Sequence, residues 1–236
     1  MIGPIVNASA VAVGCVIGFT CGGRLPERVR KNMPLTFGCA SMTLGIAMIG
    51  QIRQIPAVII ALLLGSLCGE LFDFQSWIER LTAVIYERNK EGGSFHGMTE
   101  ENFSTLFSSL LVIFCFSGTG VVGSLNEGLT GDPSLLIVKS CLDFITAIVF
   151  SANIGYSLLL FVIPMFAVQS SLYAGAASIN TFMTPVAVSD FKATGGILML
   201  AAGFNLLQLK SFRLVNMLPA VFIILVVSGV WTRLMP

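Results

Sequence analysis

Two ionisable side chains stand where a chain this apolar has little tolerance for them. Lys139 and Asp143 both fall inside an apolar run and are spaced i and i+4, which on a helix puts the ammonium and the carboxylate on one face, a turn apart. A charge at the centre of a bilayer costs on the order of 3 kcal/mol on insertion scales. The pair can therefore be read in two ways. It is either a buried ion pair that ties helices together, or a cation or proton site. In the second case Asp143 alternates between Lys139 and a transported ion, and its proton affinity changes with its partner.

Other polar groups could complete such a site. Glu127 and Asp132 precede the pair and would make an acidic mouth that concentrates cations. Asn7, Asn126 and Asn205 would add uncharged oxygen ligands, with Ser9, Gln208 and Asn216 as further polar residues of the apolar runs. Each asparagine reads equally well as a helix–helix hydrogen bond. The segment from Phe116 to Asp143 also carries Gly118, Gly120, Gly123, Gly128 and Gly131. Such a density favours a broken helix, whose freed backbone must be buried in protein or line a wet cavity. The simpler alternative is an outside loop from Asn126 to Ser134, with Asp132 as N-cap and Pro133 at the first helical position.

The elements that must hold these residues follow from composition. The chain has 236 residues, 55% apolar side chains and 11% charged ones, with a mean hydropathy of +0.89. A soluble domain carries about 25% charged residues, so a soluble enzyme, a nucleic-acid binder and a disordered chain are excluded. Apolar windows at 4–22, 35–51, 55–72, 105–123, 135–152, 156–178, 194–209 and 216–234 give eight candidate spans, or seven if the run from Leu135 to Ala177 is not divided at Asn153 and Gly155. The expected fold is all-α, a single transmembrane domain over residues 1–236. Six scattered cysteines read as small hydrophobes.

Basic residues set the orientation. The first loop, GRLPERVRKNMP, holds Arg24, Arg28, Arg30 and Lys31, and eight spans put nine basic residues inside against three outside. The N-terminus is then expected outside. Residues 72–104 are expected to be cytoplasmic, an amphipathic helix from Phe72 to Lys90, with Phe74, Trp77, Ile78, Leu81 and Ile85 at helical spacing, followed by a linker that contains His96. That helix would lie on the inner membrane surface or pack on the protein's own underside. Residues 37–69 and 194–229 share an order of glycine, apolar span, short basic loop, Pro-Ala and second span. Under the eight-span topology they form an inverted repeat, an architecture common in secondary transporters, unless the likeness of two Gly- and Leu-rich hairpins is coincidence. Gly14, Gly18 and Gly22 make a small-residue stripe suited to close helix packing or to a homodimer seam.

The segments IGPIVNASAVAVG, RLPERVRKNM, SGTGVVGSLNEGLTGDPSLLIVKSCLDF and NMLPA together resemble the YqgA/YdfK family of bacterial inner-membrane proteins, over nearly the whole chain. The resemblance implies a multi-pass protein of a family of unknown function, described as a candidate sodium channel or pump. The family's polar residues match at Asn7, Asn126, Glu127, Asp132, Lys139 and Asp143. The chain departs at Cys15, where a second glycine is usual, and this bears on how closely the first helix can pack.

Catalytic constellations are missing from the sequence. His96 is the single histidine, and no Walker A loop or GxSxG is present. The expectation is therefore a secondary transporter or channel for a small ion or solute, Na⁺ among the candidates, in the bacterial inner membrane. No enzymatic activity, cofactor, metal or nucleic-acid partner is expected. The competing expectation is a non-transporting membrane scaffold or signalling protein that engages a partner through the 72–104 region.

Overall fold

The computed structural model describes residues 1–22, 26–90, 99–115, 117–180 and 184–234. Arg24, Phe116 and the part of the linker that contains His96 lie outside them. Eleven α-helices and one 3₁₀ segment follow in order among the described residues: α1 (Ile2–Gly22), α2 (Glu27–Ile49), α3 (Ile55–Phe72), α4 (Phe74–Lys90), α5 (Glu100–Cys115), α6 (Gly118–Thr130), α7 (Ser134–Ile154), the 3₁₀ turn Gly155–Phe161, α8 (Val162–Asn180), α9 (Pro185–Leu206), α10 (Leu214–Met217) and α11 (Pro219–Leu234).

Seven stretches are long and apolar enough to cross a bilayer, and one of them, Ser134–Ser178, runs to 45 residues. That stretch folds back on itself. Going along α7, Leu136 packs at Gly3 while Phe144 and Ala147 pack at Gly14, so α7 runs parallel to α1. Further on, Met165 of α8 returns to Asn7 and Tyr173 reaches Gly128 beside the α7 start. The reversal sits at Gly155, with φ +62° and ψ −150°, a region open in practice only to glycine. The described residues thus make eight helical passes through the bundle.

Three expected boundaries move. The fourth window is not one helix, because Ser117 is extended, at φ −65° and ψ 139°, and caps a helix that starts at Gly118. The first loop is helical from Glu27 onward, since Pro26 ends the turn and Glu27 suits a helix start. The seventh pass begins nine residues before its apolar window. Thr184 caps it by accepting from the Ala187 amide at 3.1 Å, with Pro185 at the first position, and the polar Asp190 and Lys192 had hidden that first part.

The two hairpins of the expected inverted repeat pair with each other. α2 packs antiparallel on α9, where a methyl at Gly45 would lie 2.6 Å from the Gly196 carbonyl oxygen and one at Gly203 would lie 2.8 Å from that of Gly38. Gly38 and Gly45 in the first copy correspond to Gly196 and Gly203 in the second, so these two contacts exchange under the repeat. α3 packs antiparallel on α11 with Gly65 against Ala220 and Gly69 against the Asn216 backbone. Glycine serves here as the absence of a side chain, letting backbones meet. Gly14 and Gly18 are likewise taken up by the α7 backbone at Phe144 and Ile148. They make an internal seam, which leaves that stripe unavailable to a second copy. Cys15 is buried beside it, its carbonyl accepting from the Ser151 hydroxyl at 2.7 Å, so the helix packs closely without a second glycine.

α4 packs on the protein itself, one of the two expected readings. Gln75, Ile78, Thr82 and Ile85 are buried against the bundle, and Thr82 reaches Ser104 of α5 at 3.1 Å. Phe74, Trp77, Leu81 and Val84 stay exposed beside that face. Leu67 and Leu71 of α3 are exposed as well.

Candidate functional site

α7 is built to carry charge inward. Lys139, Ser140, Asp143, Thr146, Ala147, Phe150 and Ser151 are buried at helical spacing, while Leu135, Ile137, Val138, Leu142 and Ile145 are exposed on the opposite face. The Lys139 ammonium is bonded to the Asp143 carboxylate, and the two residues are 3% and 5% exposed. At 1.5 Å per residue, Asp143 lies roughly 14 Å along α7, a length of about half a hydrocarbon core of about 30 Å.

The break between α5 and α6 lies against this pair. Ser117 is the N-cap of α6, its hydroxyl accepting from the Gly120 amide at 3.3 Å. A side chain at Gly120 would lie 2.8 Å from Cε of Lys139 and 3.1 Å from Oγ of Ser117. The lysine stem therefore runs over a glycine and beside a restarted helix. This is the kind of backbone interruption that a membrane tolerates only inside protein or at a wet cavity. Asn7 sits near the level of Lys139, since the parallel α1–α7 pairing places Gly3 at Leu136 and Gly14 at Phe144. Its Nδ2 donates to the Met165 sulfur at 3.4 Å and its Oδ1 is buried without a partner.

The other expected site residues lie elsewhere. Glu127 is buried, 2% exposed, and accepts from the Ile2 and Gly3 amides at 2.6 and 3.0 Å and from the Met1 amine at 2.8 Å. It seals the start of α1 rather than facing an open mouth. Asp132 is exposed and accepts from the Ser134 amide and hydroxyl at 3.0 and 2.5 Å, which hold its carboxyl below the usual range. It turns the chain into α7 from one position before the N-cap, which is Pro133. Asn126 donates to the Asp132 carbonyl at 3.4 Å across the same turn, which is shorter than expected because α6 continues to Thr130 and Gly131 ends it at φ +77°. Asn205 is bonded both ways to Phe212, at 2.7 and 3.0 Å, closing the loop after α9. Ser9 is exposed. The structure thus brings together Lys139, Asp143 and the Asn7 level, and separates Glu127, Asp132, Asn126 and Asn205 from them.

Some polar residues of the interior were not singled out from the sequence. Asp190 is fully buried and accepts from the Arg53 and Gln54 amides at 2.8 and 2.9 Å and from the Ser228 hydroxyl at 2.9 Å. The Thr-Pro start signal at residues 184–185 could have placed it inside a helix. Ser117 carried a signal too, as a hydroxyl ahead of a glycine-rich stretch. Gln169 is a lone amide in an apolar run, and nothing in the sequence marks it as buried.

A family described as "Protein of unknown function (DUF554)" matches residues 2–229. The chain belongs to this family. It is 41% identical over 232 residues to "Uncharacterized protein YqgA" of Escherichia coli (strain K12), covering 98% of each chain. It is 26% identical over 227 residues to "Uncharacterized membrane protein YdfK" of Bacillus subtilis (strain 168), covering 94% of this chain and 93% of the relative. No solved structure matches it. Family and apolar helices agree on a multi-pass integral membrane protein in contact with the lipid bilayer.

Proposed function

We propose that this protein is a secondary transporter or channel for a small ion or solute in the bacterial inner membrane, with its N-terminus outside, and that Lys139 and Asp143 form its charged intramembrane site. Na⁺ is among the candidate cargoes. The observation that carries the reading is the Lys139–Asp143 pair, held beside the α5–α6 break. A pair with a purely fastening role needs no interrupted helix next to it. A carboxylate that exchanges an ammonium for a passing cation does, because the exchange requires backbone and hydroxyl groups free to take part. The antiparallel pairing of α2–α3 with α9–α11 supports the same reading, since two inverted hairpins can rock against each other about a fixed centre.

Cysteine accessibility tests it. In a protein whose six native cysteines are replaced, Ser117→Cys in intact vesicles should react with a small, charged, water-borne thiol reagent. Val138→Cys, on the exposed face of α7, should not. A Ser117→Cys protein that stays inert from both sides would remove the aqueous route the proposal needs. The exposed face of α4, with Trp77 69% exposed, favours a second reading, a scaffold that engages a cytoplasmic partner. Deleting residues 96–101 should abolish function on that reading and spare transport on ours.

A further inference from the structure

Gln169 of α8 is 1% exposed, and both its Oε1 and its Nε2 lack a hydrogen-bond partner. One turn earlier on the same face, Met165 receives the Nδ2 of Asn7, whose own Oδ1 is also orphaned. Asn7 and Met165 are fully buried. Three amide groups, two acceptors and one donor, thus go unsatisfied around one turn of α8, as does the hydroxyl of the next residue, Ser170, deep in the bundle where lipid offers nothing in exchange. Buried groups of this kind are rare in native proteins, and the usual explanation is a bound molecule.

The set of orphaned atoms specifies what that molecule is. A bare cation would satisfy the two amide oxygens and leave the Gln169 NH₂ unpaired. An anion would do the reverse. Only a neutral group that both donates and accepts clears all three. No ionised side chain is bonded to either amide, so neither a positive nor a negative ligand has a counter-charge there.

We infer that Asn7 and Gln169 form a second polar site, between α1 and α8, which holds a small neutral ligand able to donate and accept hydrogen bonds: bound water, or the hydroxyl or amide of a small solute. Asn7 puts this site near the level of the ion pair, but the inference stands whether or not Asp143 exchanges cations.

Water-derived hydroxyl radicals read the site without any variant. In X-ray radiolysis of the detergent-solubilised protein, Met165, 0% exposed, should oxidise several-fold faster than Met199 of α9, which is 5% exposed, because a bound water sits beside one and not the other. Gln169→Met, which keeps the volume and removes the orphaned groups, should lower that labelling and lower the melting temperature. Stopped-flow swelling of proteoliposomes in urea or glycerol then separates the sources. Faster swelling with the wild type than with Gln169→Met identifies a solute, and equal swelling identifies bound water. The inference is overturned if Met165 labels no faster than Met199 and Gln169→Met melts higher than the wild type, as expected when an orphaned amide in a dry core is replaced by a methionine.

Discussion

Glu127, Asp190 and Asn216 do one job at three places. Each is a buried side chain that accepts the first amides of a helix it does not belong to: α1, the start of α3, and α4 through the Gln75 amide at 2.7 Å. The first amides of a helix have no intrahelical partner and carry partial positive charge, so a carboxylate can stay buried there without a basic side chain. Asp190→Ala should therefore cost about 1–3 kcal/mol by stranding two amides and the Ser228 hydroxyl, read as a drop in melting temperature in detergent. Lys139 and Asp143 follow a different rule, because they neutralise each other. Asp143→Asn or Lys139→Met alone should destabilise by about 3–5 kcal/mol, and the double variant should recover most of that loss; a double-mutant cycle on thermal unfolding checks it. At the end of α3, Asp73 accepts from the Ser76 hydroxyl at 2.5 Å and from Arg213 at 2.7 Å. The serine first and the guanidinium second hold its carboxyl below the ordinary range. A carboxyl lowered on folding stabilises above its unfolded pKa of about 3.9, and that support is lost as pH falls through the lower folded value. Melting temperature should fall on acidification through that window in the wild type and fall less steeply in Asp73→Asn.

At the scale of elements, glycine positions decide which helices meet. Gly45 and Gly196 are each packed against the other's backbone, so Gly45→Leu and Gly196→Leu should each cost about 1–3 kcal/mol by overpacking. Gly229, which has open space around it, should accept alanine with little change. Thermal stability of the three variants reads this directly. The apolar windows were legible because they depend on residue type at a spacing. The interruption at Ser117 was legible only as a glycine-rich region, since a cap is a local geometry that window averaging smooths away. The start of α9 was obscured for the opposite reason. Asp190 and Lys192 lower hydropathy where the helix is in fact buried and capped.

For the whole molecule, eight passes make the start of α1 and the end of α11 face the same side of the membrane. Cysteines placed at Ile2 and Thr232 should react with an impermeant reagent from one side, and opposite sides would contradict the count. The ion pair itself was readable from i and i+4 spacing, but the distribution of the remaining polar residues was not. Glu127, Asn126 and Asn205 look alike in a sequence, and only the packing shows that each closes a helix end or a turn. What unites the molecule is a charged pair beside a broken helix, flanked by two inverted hairpins. The most direct measurement is flux of labelled sodium, rubidium and protons into proteoliposomes, for the wild type and for a folded Asp143→Asn, Lys139→Met double variant. The account predicts that the wild type exceeds empty liposomes for at least one of these ions and that the variant falls to the empty level. Equal flux in the two proteins would contradict it.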